Sequence, residues 1–170
     1  IVGPVSILGD MTSLAGDMTF GAPVTIANDL TLKANNLTLN SIVSGDSGPV
    51  LHNIVLDAPG LTTLNADFGA LRPFQTVRAT GGGTTRIAGS RVTAVGDQVY
   101  DEAVVLGADT HIAGSSLTFA STIDSDATPR NLNLDTDQAG TVTLGGHVGG
   151  VSKLASLRIG MAPLSAPGRF

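Results

Sequence analysis

Apolar residues alternate with Thr, Asn or Ser in short bursts along almost the whole chain. Val24-Thr25-Ile26, Leu37-Thr38-Leu39 and Thr76-Val77-Arg78-Ala79 are examples in the first half, and Leu117-Thr118-Phe119, Asn131-Leu132-Asn133-Leu134 and Thr141-Val142-Thr143-Leu144 in the second. A period of two over three to seven residues is the signature of strands with one buried face. Helical spacing of apolar positions is nowhere sustained for two turns. Gly-Asp, Asn-Asp, Asn-Asn, Gly-Gly and Ala-Pro-Gly separate the bursts, and these residues set turns. The pattern predicts an all-β protein with strands every ten residues or fewer.

The strands belong to a longer period. Gly16–Val43 (GDMTFGAPVTIANDLTLKANNLTLNSIV) and Gly96–Ile123 (GDQVYDEAVVLGADTHIAGSSLTFASTI) share Gly-Asp, an aromatic at Phe20 and Tyr100, Val24 with Val104, Asp29 with Asp109, and Leu37-Thr38 with Leu117-Thr118. Laid over each other without gaps, residues 1–80 and 81–160 agree at 19 positions, with a local register of 78 around His52–Asp57 and Arg130–Asp135. A period that itself holds many short strands suits a right-handed parallel β-helix, in which a rung takes roughly 20 residues. The expectation is one solenoid over 1–160, about eight rungs from two 80-residue repeats (1–80 and 81–160), four rungs to each. Phe20 and Tyr100 are expected near a corner or in a bulge. The tail 161–170 breaks the repeat, and its two prolines make it a loop or linker.

Composition narrows the function. The chain has 22 Gly, no Cys, no Trp, one Tyr and a net charge of −5 with only 14% charged residues. Nucleic acid would want a basic face, so it is not an expected partner. The absence of Cys removes disulfides and thiolate metal sites. No apolar run is long enough to span a bilayer as a helix, so this segment is not expected to insert into a membrane. The abrupt start at Ile1, with no signal peptide, reads as a piece of a longer chain.

Candidate chemistry is sparse. Ser44-Gly45-Asp46-Ser47-Gly48-Pro49 resembles the nucleophile signature of chymotrypsin-like proteases, but His52, His111 and His147 all follow Ser47, the reverse of that family's order. A turn explains it better. The three histidines lack ligand spacing and read as exposed polar strand positions. Asp101-Glu102, Asp124 with Asp126, and Asp135 with Asp137 resemble the carboxylate clusters of β-helical polysaccharide-cleaving enzymes. Turn-closing Asx residues are the default reading, and with no Trp and Tyr100 the only Tyr the aromatic sugar platform is weak. Asn36-Leu37-Thr38 is a glycosylation sequon. Leu71-Arg72-Pro73 marks a loop or docking surface. No residue is singled out as catalytic, cofactor-binding or metal-ligating, and no cofactor is expected.

Gly96–Gly160 is similar to a repeat of very large exported bacterial proteins, the filamentous haemagglutinin and autotransporter passenger class. The residues that carry the resemblance include Gly96, Gln98, Tyr100, Val104, Leu106-Gly107-Ala108-Asp109, Leu117-Thr118-Phe119, Leu144-Gly145-Gly146 and Val148-Gly149-Gly150. It implies a β-solenoid stalk, bacterial surface exposure and a role in adhesion or biofilm, with a host or environmental glycan or protein surface as partner. It transfers no catalytic residue. The alternative is a polysaccharide-modifying β-helix enzyme using Asp124, Asp126, Asp135 and Asp137 beside Arg130. Any binding site is expected where the two copies disagree.

Overall fold

The computed structural model describes residues 3–161. Neighbouring strands are parallel throughout, and the chain visits three sheets in turn. The first coil is β1 (Val5–Ile7) on sheet I, β2 (Met11–Thr12) on sheet II and β3 (Met18–Phe20) on sheet III. The second is β4 (Val24–Ile26), β5 (Leu30–Lys33) and β6 (Leu37–Leu39), and the third β7 (Val43–Gly45), β8 (Asn53–Asp57) and β9 (Leu61–Leu64). In the fourth, sheet I is met only at Phe68, which bridges Val43 and Val92, before β10 (Thr76–Thr80) and β11 (Thr84–Ile87). The fifth is β12 (Arg91–Thr93), β13 (Gln98–Tyr100) and β14 (Ala103–Leu106), and the sixth β15 (Thr110–Gly114), β16 (Leu117–Phe119) and β17 (Ile123–Ser125). The seventh is β18 (Asn131–Thr136), β19 (Val142–Leu144) and a bridge from Val148 to Ile123; β20 (Ser156–Met161) opens an eighth on sheet I.

This is an all-β solenoid. Twenty strands and two bridging positions make 22 segments, or seven and one third turns at three segments per turn. At about 4.8 Å per rung the rod is roughly 35 Å long.

One core fills it. Alternate side chains point inward and stack by rung, as in Leu30, Ile54, Val77, Gln98 and Leu117 on sheet II, or Phe20, Leu39, Leu64, Ile87 and Leu106 on sheet III. Phe20 and Tyr100 are the last residues of β3 and β13 and point into the core, fully buried, rather than filling a bulge. Tyr100 stacks flat on Phe119 of the next rung, with centroids 4.9 Å apart and planes 2° from parallel, and sits over the small Ala79. Its hydroxyl donates to Gln98 Oε1 at 2.9 Å, and Gln98 Nε2 donates to Ala113 O at 2.6 Å, so these two buried polar side chains are partnered.

The eighty-residue period appears in the architecture in an unexpected way. Strand for strand, β3 corresponds to β13, β4 to β14 and β7 to β17, and the Phe68 bridge corresponds to the Val148 bridge. Gly69 and Gly149 follow those bridges with φ of 73° and 67°, a conformation only glycine adopts readily, and each donates 2.7 Å to the carbonyl one rung back, Val43 and Ile123. Yet eighty residues hold eleven segments, not twelve. Each repeat therefore spans three and two thirds turns rather than the expected four, and corresponding strands lie on different sheets: β4 on sheet I, β14 on sheet III. The cause is coil length, which runs from 19 residues (Val24 to Val43) to 25 (Val43 to Phe68).

Candidate functional site

Most of the aspartates are structural. Asp10 accepts the backbone N–H of Thr31, Asp17 that of Asn36, Asp67 those of Ser90 and Arg91, and Asp124 those of Val151 and Ser152. Each reaches one coil onward and satisfies a corner amide that the ladder leaves unpaired. Asn36, the sequon residue, is held in the same way, donating to Asp17 at 2.8 Å and accepting from Leu61 N–H at 2.8 Å.

The four acids of the enzyme alternative are dispersed. Asp124 is buried in β17 of sheet III and caps the Val151 turn. Asp126 follows β17 and holds Arg130 through two contacts of 3.0 and 3.1 Å, with Arg86 at 3.8 Å. The Arg130 hydrogen bonds hold the Asp126 carboxyl below the usual range and raise the guanidinium. Asp135 lies in β18 of sheet I, and Asp137, beyond that strand, accepts from Ser115 Oγ at 2.8 Å and closes a turn at Ala139. Glu102 is buried, accepting from Thr85 Oγ1 at 2.7 Å and Gly83 N–H at 3.2 Å, and burial raises its pKa. Asp101 pairs with Arg78 at 2.7 Å.

The histidines differ from one another. His52 is buried rather than exposed, with Asp46 3.4 Å and Asp29 3.8 Å from its ring nitrogens. Ser47 is exposed, and no histidine hydrogen-bonds to it among the described residues. His147 is exposed. His111 is half-buried on the outward side of β15, with Nε2 2.8 Å from Asp135 Oδ2 on β18. Leu71 is exposed, as the loop reading implied, and the neighbouring Arg72 guanidinium donates to Gly48 O. Among the described residues no three His, Asp or Glu side chains converge as metal ligands.

Two surface depressions, one in each repeat, are built alike. The first, about 220 Å3, is lined by Asp10, Asp29, Leu30, Thr31, Asn53 and Val55 on sheet II. The second, about 420 Å3, is lined by Ser90, Asp109, Thr110, His111, Asn131, Asn133 and Ser156 on sheet I. Six positions of the second match the first at an offset of 80, or of 78 in β8 and β18. The scaffold is shared: Asp29 accepts both amides of Asn53 at 2.8 Å, and Asp109 both amides of Asn131 at 2.9 and 2.8 Å. Those bonds, the backbone one first, lower the pKa of each aspartate. Asn53 Oδ1 in turn accepts from Thr76 at 2.7 Å, as Asn131 Oδ1 does from Ser156 at 2.7 Å.

The outward chemistry is not shared. Thr31 becomes His111, Val55 becomes Asn133 and Asp10 becomes Ser90, while the Lys33–Asp57 ion pair gives way to His111–Asp135. The second depression thus offers hydroxyl, amide, imidazole and carboxylate groups on a fixed ledge. The sequence shows His111 only as a polar strand position and gives no sign of Asn131, because their partners lie on other coils, 22 to 25 residues away.

No family model, curated protein or solved structure matches the chain.

Proposed function

We propose that the chain is a rigid structural and adhesive segment of a large secreted bacterial surface protein, exposed outside the cell and supporting attachment or biofilm. The observation that carries this is the pair of matched depressions: their Asp–Asn scaffold repeats while their outward residues diverge. Stacked coils supply length and stiffness, and the polar ledge around His111 supplies contact. Donors and acceptors without an apolar wall suit a hydrated, hydroxyl-rich ligand, so a glycan is the favoured partner over an apolar protein patch. Binding of the purified protein to an immobilised panel of host and bacterial glycans tests this. His111→Ala with Asn133→Ala should lower binding at least tenfold, and Thr31→Ala on the other ledge should leave it unchanged. Binding to no glycan, or equal loss in both variants, contradicts the reading.

The His111–Asp135 pair favours a second reading, a polysaccharide-modifying β-helix enzyme, because a carboxylate-oriented imidazole can move a proton. Release of new chain ends from acidic polysaccharides, abolished by His111→Ala, would decide for it.

A further inference from the structure

The loops that follow the two bridging positions are built on one plan, eighty residues apart. Val43 N–H donates to Asp67 O at 3.2 Å, as Ile123 N–H does to His147 O at 3.0 Å, and Gly69 and Gly149 then turn with positive φ. Gly45 N–H donates to Arg72 O at 3.1 Å, as Ser125 N–H does to Ser152 O at 3.1 Å. Residues 69–72 and 149–152 are therefore held on β7 and β17 by the same backbone bonds.

What joins the strand's side chain to the loop differs. In the second repeat Asp124, the middle residue of β17, reaches the loop with its carboxylate. A single oxygen accepts Val151 N–H at 2.9 Å and Ser152 N–H at 3.0 Å. Two successive amides aimed at one oxygen form an anion-binding nest. The corresponding residue of β7 is Ser44, shorter and uncharged, and its hydroxyl is buried without a hydrogen-bond partner. The amides of Leu71 and Arg72, which correspond to Val151 and Ser152, have no partner among the described residues either.

Charge is exchanged along with size. The second repeat sets an acid on the strand and a neutral Ser152 on the loop, whereas the first sets a neutral Ser44 on the strand and Arg72 on the loop. The Arg72 stem packs beside Gly45, with Cγ 3.5 Å from where a Cβ on that glycine would stand. One end of its guanidinium donates to Gly48 O, its Nε is buried without a partner, and no acid pairs with it among the described residues. Asp46, the acid of that turn, accepts Gly48 N–H at 3.1 Å and faces His52 at 3.4 Å. A part-buried cation with no counter-charge is costly.

We propose that a small inorganic anion of chloride size binds beneath the loop after Phe68, in the place that the Asp124 carboxylate takes in the second repeat. The N–H groups of Leu71 and Arg72 and the Ser44 hydroxyl donate to it, and the Arg72 guanidinium balances its charge. Burial of Ser44 Oγ and Arg72 Nε admits an ion and shuts out the acidic group of a larger molecule. The ion ties this loop to β7 as Asp124 ties its counterpart to β17. The site shares no residue with either ledge, so failure of the glycan reading leaves it intact.

The test is thermal melting of the whole chain in sodium chloride and in sodium gluconate at one ionic strength, gluconate being too bulky to enter. The melting temperature should be a few degrees higher in chloride, rising with its concentration as mass action requires. Ser44→Asp carries a carboxylate into the site and should melt alike in both salts. Ser47→Asp, which adds the same charge at an exposed position, should keep the chloride response. Line broadening of the chloride magnetic resonance by the native protein, several-fold weaker with Arg72→Gln, reads the site without burying an acid. Equal melting of the native protein in the two salts, a chloride response that survives Ser44→Asp, or no broadening by the native protein would overturn the proposal; a site filled only by water gives the first and the last.

Discussion

Val24 and Val104 stand eighty residues apart, both buried in the core and both opening the ladder to the next rung, yet Val24 belongs to sheet I and Val104 to sheet III. The repeat is kept in register with strands and not with turns. A solenoid tolerates this because all three of its faces present the same thing inward, a stack of β-branched and aliphatic side chains. What a face presents outward need not match, and the two ledges accordingly look in different directions.

Gly89 and Gly9 separate local from tertiary demand. Ala66 O lies 2.2 Å from a Cβ built on Gly89, so Gly89→Ala should destabilise by about 1–3 kcal/mol through overpacking. Gly9→Ala meets nothing and should leave the melting temperature of the dilute protein within error. Thermal melts of the two variants side by side check this.

Tyr100 and Phe119 test the aromatic stack. Phe119→Ala should cost about 3–5 kcal/mol in urea unfolding, because the cavity lies at the centre of the column. Tyr100→Phe keeps the ring and leaves Gln98 Oε1 without its donor, for about 1–3 kcal/mol.

Two classes of carboxyl give opposite pH responses. Burial raises Glu102, so its contribution to stability is full below the ordinary glutamate range and is lost as pH rises through its folded pKa. Glu102→Gln should therefore melt higher than the native protein at neutral pH and equal to it in acid. Asp29, Asp109, Asp126 and Asp137 are lowered by hydrogen bonds, so their contribution is present above the ordinary aspartate range and is lost as pH falls through their folded values. Asp109→Asn should lower the melting temperature at neutral pH, match the native protein in acid and so flatten the acid limb of the profile, leaving the Glu102 trend in place. Melting temperature followed across the acidic to neutral range reads both.

Much of the fold was legible in the sequence. Alternation at Leu30-Thr31-Leu32 or Asn131-Leu132-Asn133-Leu134 placed inward and outward residues correctly, because a strand's period is local. The number of turns was legible only roughly, about eight expected against seven and one third found. It depends on where coils lengthen, and the seven-residue connection from Gly69 to Gln75 looks like any other Gly- and Pro-punctuated stretch. Phe20 and Tyr100 were expected near a corner or in a bulge, but small partners such as Ala79 make room for the Tyr100 ring inside the column. The ledge was out of reach for a different reason. Its defining contacts, His111 with Asp135 and Asp109 with Asn131, join residues more than twenty apart whose meeting is fixed by the coil register.

Distances between spin labels test most directly the claim that the two repeats are offset by one face. Thr31 and Thr118 lie on one ladder of sheet II, running through Val55, Arg78 and Val99, four rungs and so about 19 Å apart. Thr31 and His111 are eighty residues apart and lie on different sheets. Labels at Thr31 and Thr118 should give the shorter distance, close to 19 Å, and labels at Thr31 and His111 a longer one across the prism edge. The reverse order would mean repeats of four whole turns with both ledges on one face, and would contradict the account.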